Sequence, residues 1–452
     1  MSRRMERSQE FEMVSRIVEQ SPSIDPFKTV SVEEFEERRR NVNEALHKEG
    51  IDVGFVFSDE HYNGDVPYLG GNTNISIEQV AGVIGKTGFH IVAGLEGGYI
   101  AEQLARRAKA PVHKVEILQL ADEKYPIEAE KLEDVLEAAH GGPVKRVGLL
   151  SPRQVVPSGV VEYLEQAVGR DNIIDCQELY WRIKYEKSPM EMELIADASE
   201  IGDAMLRAML AVLKPGMLET QVAAWGYYVG RELGSEETGF DVMVGSDEAN
   251  RTLIGKALNR PIKHGEMVHL GVAPKREGLT TCIRRSIVAL APSEQMTGEQ
   301  EYWFNLVEGA YQVGYNEYVR VARKGLPAKL QEQALVDYFA ARSDEVSDRI
   351  GRQVDLAQLK PYTGTHNAGY TECQEFFGAI TLDSEEPLGH RIVTMLDVAL
   401  RGIGNMWDDV AIPGFDFLVV ENTLGKEGTR VDTLTKLPVR VQGLVGNIDE
   451  LG

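Results

Sequence analysis

The stretch "WRIKYEKSPMEMELIADASEIGDAMLRAMLAVLKPGM", residues 181–217, divides the chain into two differently patterned halves. From Met190 onward its apolar residues recur at helical spacing, and the run stops at Pro215-Gly216, a pair that cannot continue a helix. Upstream, short strand-like runs alternate with helical ones. "SVEEFEERRRNVNEALHKEG" (31–50) is helical, "IDVGFVFSD" is strand-like, and residues 80–100 read as a hairpin turning at Lys86-Thr87-Gly88. Helical "KLEDVLEAAHGG", strand-like "RVGLLS" and helical "SGVVEYLEQAVG" continue the alternation, which predicts an α/β domain over 31–185. Residues 1–30 are dense in charge and read as an N-terminal arm.

Downstream the pattern turns to strand-like runs: "FDVMVG", "EMVHLGVA", "LTTCIRRSIVAL", "RIVTMLDVAL" and "FDFLVV". Helical segments near 219–233, 297–323 and 327–342 interrupt them, so residues 186–452 read as an α+β domain.

Composition removes several function classes. The 452 residues are 43% hydrophobic and 26% charged, ordinary values for a soluble globular protein. With 48 basic against 71 acidic residues the net charge is −23, which gives no electrostatic basis for binding nucleic acid or an anionic membrane. No apolar run reaches the length of a bilayer span, and "MSRRMERSQEFEM" lacks the apolar core of a secretion signal. Cys176, Cys282 and Cys373 are odd in number and far apart, so the expectation is a cytoplasmic protein with reduced thiols.

Seven segments in register carry a family resemblance. "WRIKYEKSPMEMELIADASEI", "LKPGM" followed by "ET", "GFDVMVGSDEAN", "IKHGEMV", "GLTTCIRRS", "TGTHNAGY" and "LTKLP" resemble, in order and approximate spacing, the pita-bread proteins: creatinase, aminopeptidase P and prolidase. The resemblance implies a small N-terminal α/β domain and a C-terminal pita-bread domain of curved antiparallel sheet covered by helices. It also implies a homodimer in which one subunit's N-domain helps close the other's site.

Peptidases of this family hold two metal ions with two Asp, one His and two Glu, hard donors that suit Mn, Co or Zn. Counted onto this chain, the two Asp positions fall at Gly271 and Cys282, and the His at His366. The first Glu falls at Met395 or Leu396, with Asp397 the nearest acid, and the second at Phe415, just before Asp416. The two proton-shuttling histidines fall at Ile254 and Cys373. By this count one ligand of five remains, so no metal or other cofactor is expected. Asp397 and Asp416, beside the counted positions, would face away from the site on a strand unless a bulge re-aims one.

The candidate catalytic residues are therefore His366, an acid–base group at cellular pH, and Cys373, a thiolate nucleophile if an imidazolium lies beside it. Tyr370, Glu372, Arg285, His269 and Cys282 are the candidate substrate-binding residues. His269, Cys282, His366 and Cys373 together have the donor types of a single tetrahedral zinc site, an alternative that spacing leaves open. The function expected from these residues is a metal-independent, creatinase-like hydrolase or lyase acting on a small, polar, nitrogen-containing compound. The alternatives are a non-catalytic pita-bread binding or scaffold protein and an Xaa-Pro metallopeptidase.

Two outcomes are expected in solution. Elemental analysis of purified protein should find less than one equivalent of Mn, Co or Zn, because glycine, cysteine and apolar residues stand at the counted carboxylate positions. Light scattering should find a homodimer; a monomer at micromolar concentration would remove the shared-site arrangement.

Overall fold

The computed structural model describes residues 3–119, 128–371 and 377–447, which form two compact units. One comprises residues 28–186 and 369–377; the other comprises 1–27, 187–368 and 378–452.

The N-terminal residues correct the arm expected from their charge. Helix α1 (Arg3–Gln20) is part of the second unit, and its Val14 and Ile17 are fully buried against Ile201, Met205 and Met209. Glu10 accepts a hydrogen bond from the Trp225 indole at 3.3 Å. Phe11, Val14 and Val18 already repeat at i, i+3 and i+7; the surrounding charges obscured a real apolar stripe.

In the first unit, α2 (Val32–Lys48) begins at Ser31, whose hydroxyl accepts from Glu34 N, and buries Phe35, Val42 and Leu46. Strands β1 (Val53–Ser58), β2 (Val80–Gly85), β3 (Gly88–Ala93), β4 (Val112–Lys114), β5 (Val147–Leu149) and β6 (Ile173–Asp175) make one sheet in the order β4-β3-β2-β1-β5-β6. The β2–β3 hairpin turns at Lys86-Thr87, as the sequence predicts, while β5 and β6 run parallel to β1. Helices α3 (Asp65–Gly70), α4 (Gly97–Ala105), α5 (Leu132–His140), α6 (Ser158–Val168) and α7 (Gln177–Tyr185) complete the unit, and Phe55, Phe57, Leu136 and Leu164 lie in its core.

The second unit opens with the segment that divides the sequence. Helix α8 (Pro189–Val212) starts in a capping box: Ser188 Oγ accepts from Glu191 N at 3.0 Å, and Glu191 Oε2 accepts from Ser188 N at 2.7 Å. Proline at its first position needs no hydrogen-bond donor there. Helix α9 (Glu219–Glu232) packs beside it. Strands β7 (Met243–Ser246), β8 (Met267–Val272), β11 (Ile283–Val288), β12 (Thr365–Asn367), β13 (Arg391–Arg401) and β14 (Phe417–Glu427) form an antiparallel sheet ordered β12-β13-β14-β11-β8-β7, with β15 (Arg430–Thr433) also on β14. A two-stranded ribbon, β9 (Lys275–Arg276) with β10 (Leu279–Thr280), lies between β8 and β11 in sequence. Helices α10 (Gly298–Lys324), α11 (Lys329–Ala340) and α12 (Ser343–Ile350) follow β11. No helix among the described residues is long and apolar enough to cross a membrane.

Strand periodicity sorts this sheet into two faces. Leu270, Ile283, Ile287, Leu396, Val398, Leu418 and Val420 point toward the helices and enter the apolar cores. The cross-strand partners place His269, Gly271, Arg284, Asp397, Glu421 and His366 together on the other face. Helices on one side only leave that second face to carry polar chemistry.

Arg285 is on the helix side, which corrects its expected role in binding substrate. Its Nε donates to Pro438 O at 2.9 Å, Nη1 to Arg284 O and Glu421 O, and Nη2 to Leu437 O and the Asn422 side chain. The guanidinium thus ties the 437–438 segment to two central strands. Arg285→Met should cost about 3 kcal/mol or more in denaturant unfolding, because several buried acceptors lose their donor at ~1 kcal/mol or more each. A substrate-binding arginine would instead lose activity at unchanged stability.

Candidate functional site

Residue His366 is placed by its preceding turn. Gly364 N donates to Glu332 Oε2 at 2.9 Å, the Thr365 hydroxyl donates to Gln331 at 3.0 Å, and Gly364 O accepts from Asp397 N at 3.0 Å. A Cβ at Gly364 would lie 2.2 Å from Leu335 Cδ1, so a larger residue there would force that buried methyl of α11 to move. His366 Nδ1–H donates to Asn367 O at 3.1 Å, which leaves Nε2 directed at Glu421 Oε1, 3.5 Å away. At that distance the contact is an electrostatic attraction when the ring is protonated, and no hydrogen bond reaches Glu421 Oε1.

Three strands complete the cluster. Asp397 on β13 lies directly across from Glu421 on β14, and Glu421 directly across from Arg284 on β11. Asp397 Oδ2 accepts from Arg284 Nη1 at 3.3 Å, and Oδ1 accepts from the Tyr362 hydroxyl at 3.1 Å. Arg284 Nη2 donates to Leu253 O, and Arg284 Nε is 3.9 Å from Glu421 Oε2 with no hydrogen-bond partner of its own. Cys282 Sγ donates to Glu421 Oε2 at 3.1 Å. His366 side-chain exposure is 15%, whereas Asp397, Glu421 and Arg284 are almost wholly enclosed.

Burial and like charge push the two carboxyls apart. Asp397 is driven up to about 7, first by burial and then by Glu421, against the opposing pull of Arg284. Burial would raise Glu421 too, but His366, Arg284 and Cys282 bring it below its ordinary value. Of the two carboxyls, Asp397 is the one more readily protonated. Burial would lower the Arg284 pKa, yet the surrounding Tyr362, Asp397 and Glu421 raise it, so the guanidinium is a permanent charge.

Several expected site residues are placed differently. Asp397, expected to face away, is in the cluster because Met395, directly opposite His366, and Asp397 share one face of β13, while Leu396 points to the helices. Glu421, not singled out from the sequence, is the second acid of the cluster. The irregular 402–416 connection cannot be counted across, and the available signal was a charged residue inside the apolar run "FLVVENT". Phe415 lies in the helix-side core, and Asp416 pairs with Arg251 at 2.6 Å. Arg284 and Tyr362 were also missed; alternation from Cys282 would have put Arg284 on the site face.

His269 is on the site face but buried and neutral: burial, then Arg284, lowers it to about 3, and its Nδ1 is 2.7 Å from Asn250 Oδ1. Cys282 is engaged by Glu421, and among the described residues the one group of three or more potential metal donors is His366, Asp397 and Glu421. The four-residue zinc arrangement is therefore not formed by the described members. Tyr370 belongs to the first unit, where its hydroxyl accepts from Arg38 Nη1 at 2.8 Å and its ring meets Tyr68 edge-on. Cys373 and Glu372 lie outside the described residues.

The donor set does not fit a pair of divalent metals. The ligating atoms of His366, Asp397 and Glu421 lie within 4.8 Å of one another, a geometry able to hold one cation. Gly271 supplies no donor, and a Cβ there would meet Arg284 Cγ at 3.1 Å, so the arginine stem fills the space above it. Three donors with a guanidinium among them cannot bridge two hard cations.

Known proteins of the same type were found by sequence and by fold. Residues 193–372 match the metallopeptidase family M24 model. An uncharacterized peptidase of Bacillus subtilis, YqhT, is 22% identical over 271 residues, spanning 60% of this chain and 72% of that protein. A Pyrococcus horikoshii Xaa-Pro dipeptidase is 25% identical over 239 residues, 52% of this chain and 64% of the relative. In fold, the prolidase from P. horikoshii OT3 superposes with a TM-score of 0.68 at 18% identity, and the X-Pro aminopeptidase from Thermotoga maritima MSB8 with 0.69 at 17%. Each comparison covers 89% of this chain and 99% of the other. Residues 193–372 thus match the M24 family, and the chain shares the pita-bread fold of the prolidase and X-Pro aminopeptidase structures.

Proposed function

We propose that the chain is a metal-independent, creatinase-like hydrolase that cleaves a C–N bond in a small, polar, nitrogen-containing compound, with His366 as its acid–base group. The observation that carries this reading is the His366–Glu421 pair: Nδ1 is anchored on Asn367 O, and Nε2 stands 3.5 Å from a buried carboxylate at the partly exposed position of the cluster. Neutral Nε2 takes a proton from water as the water oxygen bonds to the substrate carbon. The imidazolium so formed is held by Glu421, and it returns the same proton to the leaving nitrogen as the C–N bond breaks. No net proton is gained or lost by the protein.

The test is a screen of N-methyl and amidino acids, with Xaa-Pro dipeptides for comparison, in the presence of a chelator. Turnover should persist with the chelator, and His366→Ala should lose about a hundredfold or more in rate. Glu421→Gln removes the counter-charge of the imidazolium, so kcat should fall and the pH–rate profile should shift. Loss of turnover on chelation would favour the peptidase reading; a folded protein without turnover on any of these compounds would favour a binding role.

A pH signature accompanies the cluster. Asp397, at about 7 when folded, lies above the ~3.9 of an unfolded aspartate. Its acid form is thus favoured by folding, and the stability it contributes declines as pH rises from about 4 to about 7. Asp397→Asn should remove that decline, so the thermal-melting difference between wild type and variant changes across this window and levels off outside it.

A further inference from the structure

The group that neutralises the buried carboxylates belongs to the chain itself. Asp397 and Glu421 face one another across two strands, and His366 completes a cluster whose ligating atoms lie within 4.8 Å of each other. Such a cluster of hard oxygens and an imidazole nitrogen suits a cation. Arg284 reaches into it from the third strand, 3.3 Å from Asp397 Oδ2 and 3.9 Å from Glu421 Oε2. The Leu253 carbonyl and the Tyr362 hydroxyl hold its two terminal nitrogens, and its guanidinium lies over the Phe417 ring, 5.6 Å from the centroid. At position 271, directly across from Arg284 in the ladder, glycine leaves room for the arginine stem, since a Cβ would approach Cγ to 3.1 Å.

We propose that Arg284 is the resident cation of this site: its guanidinium fills the charge position of the His366–Asp397–Glu421 cluster and keeps divalent metals out, with Gly271 making the room it needs. This assignment concerns occupancy and does not depend on turnover. The guanidinium cannot dissociate, so a chelator cannot remove it, and metal supply cannot change the charge of the site. Its planar fork also addresses two partners in fixed directions, which a spherical ion does not.

Full-length Arg284→Met keeps an unbranched stem beside Gly271 and Phe417 but leaves the carboxylates without their cation. The measurements are calorimetric titration with Mn2+ or Zn2+ and thermal melting with and without chelator. Wild type should show no stoichiometric binding and the same melting temperature in both conditions. The variant should melt lower in chelator, recover with metal, and bind one equivalent about 100-fold or more tighter than wild type, because a unit positive charge has left the cluster. Adding Asp397→Asn to the variant should abolish the gain. If Arg284→Met does not fold under either condition, Arg284→Gln, a neutral side chain that keeps a polar end near the Nε position, carries the same readout. Stoichiometric metal on wild type as tight as on the variant would overturn the proposal. So would a folded variant that gains no metal and no metal-dependent stability. Neither result bears on whether His366 turns over a substrate, so this inference and the hydrolase reading fail separately.

Discussion

The ion pairing of Arg284 with Asp397 and Glu421 ties together the three central strands of the C-terminal sheet. Two carboxyls are enclosed side by side, and burying charge without compensation is costly. The guanidinium, the Tyr362 hydroxyl, the Cys282 thiol and the His366 ring each answer part of that cost. A one-residue slip of β13 would send Asp397 into the helix-side core and put Leu396 or Val398 on the site face in its place. The register that assembles the site is therefore also the register that the fold can tolerate.

Arg284 and Arg285 show how finely that constraint acts. They are adjacent, both are buried, and each points to a different side of the same strand. Arg285 meets backbone carbonyls and staples a terminal segment to the sheet, whereas Arg284 meets carboxylates and sets the electrostatics of the site. Neither role is readable from residue type. Both follow from period-two alternation once the strand's neighbours are known.

The hairpin at Lys86-Thr87, the long helix ended before Pro215-Gly216 and the run of central strands were all legible, because turn chemistry and apolar periodicity are local properties. The buried stripe of the first helix was present in the residues but outweighed by their charge. His366 was legible as a candidate because its polar, glycine-containing turn stood out and matched a known motif. Glu421 was not. It lies beyond an irregular connection whose length breaks any count along the chain, and Asp397 was set aside because its partner strand was unknown.

By itself, the sequence determined the two-part architecture, the acidic character, His366 as a candidate and the absence of carboxylates at 271 and 282. Only the tertiary structure decided which charges meet. Antiparallel pairing brings together residues more than a hundred positions apart, from Cys282 and Arg284 to Asp397 and Glu421, and chooses the face on which each emerges. The physical reason is that local propensities specify a strand, whereas register, burial and mutual charge compensation exist only between strands.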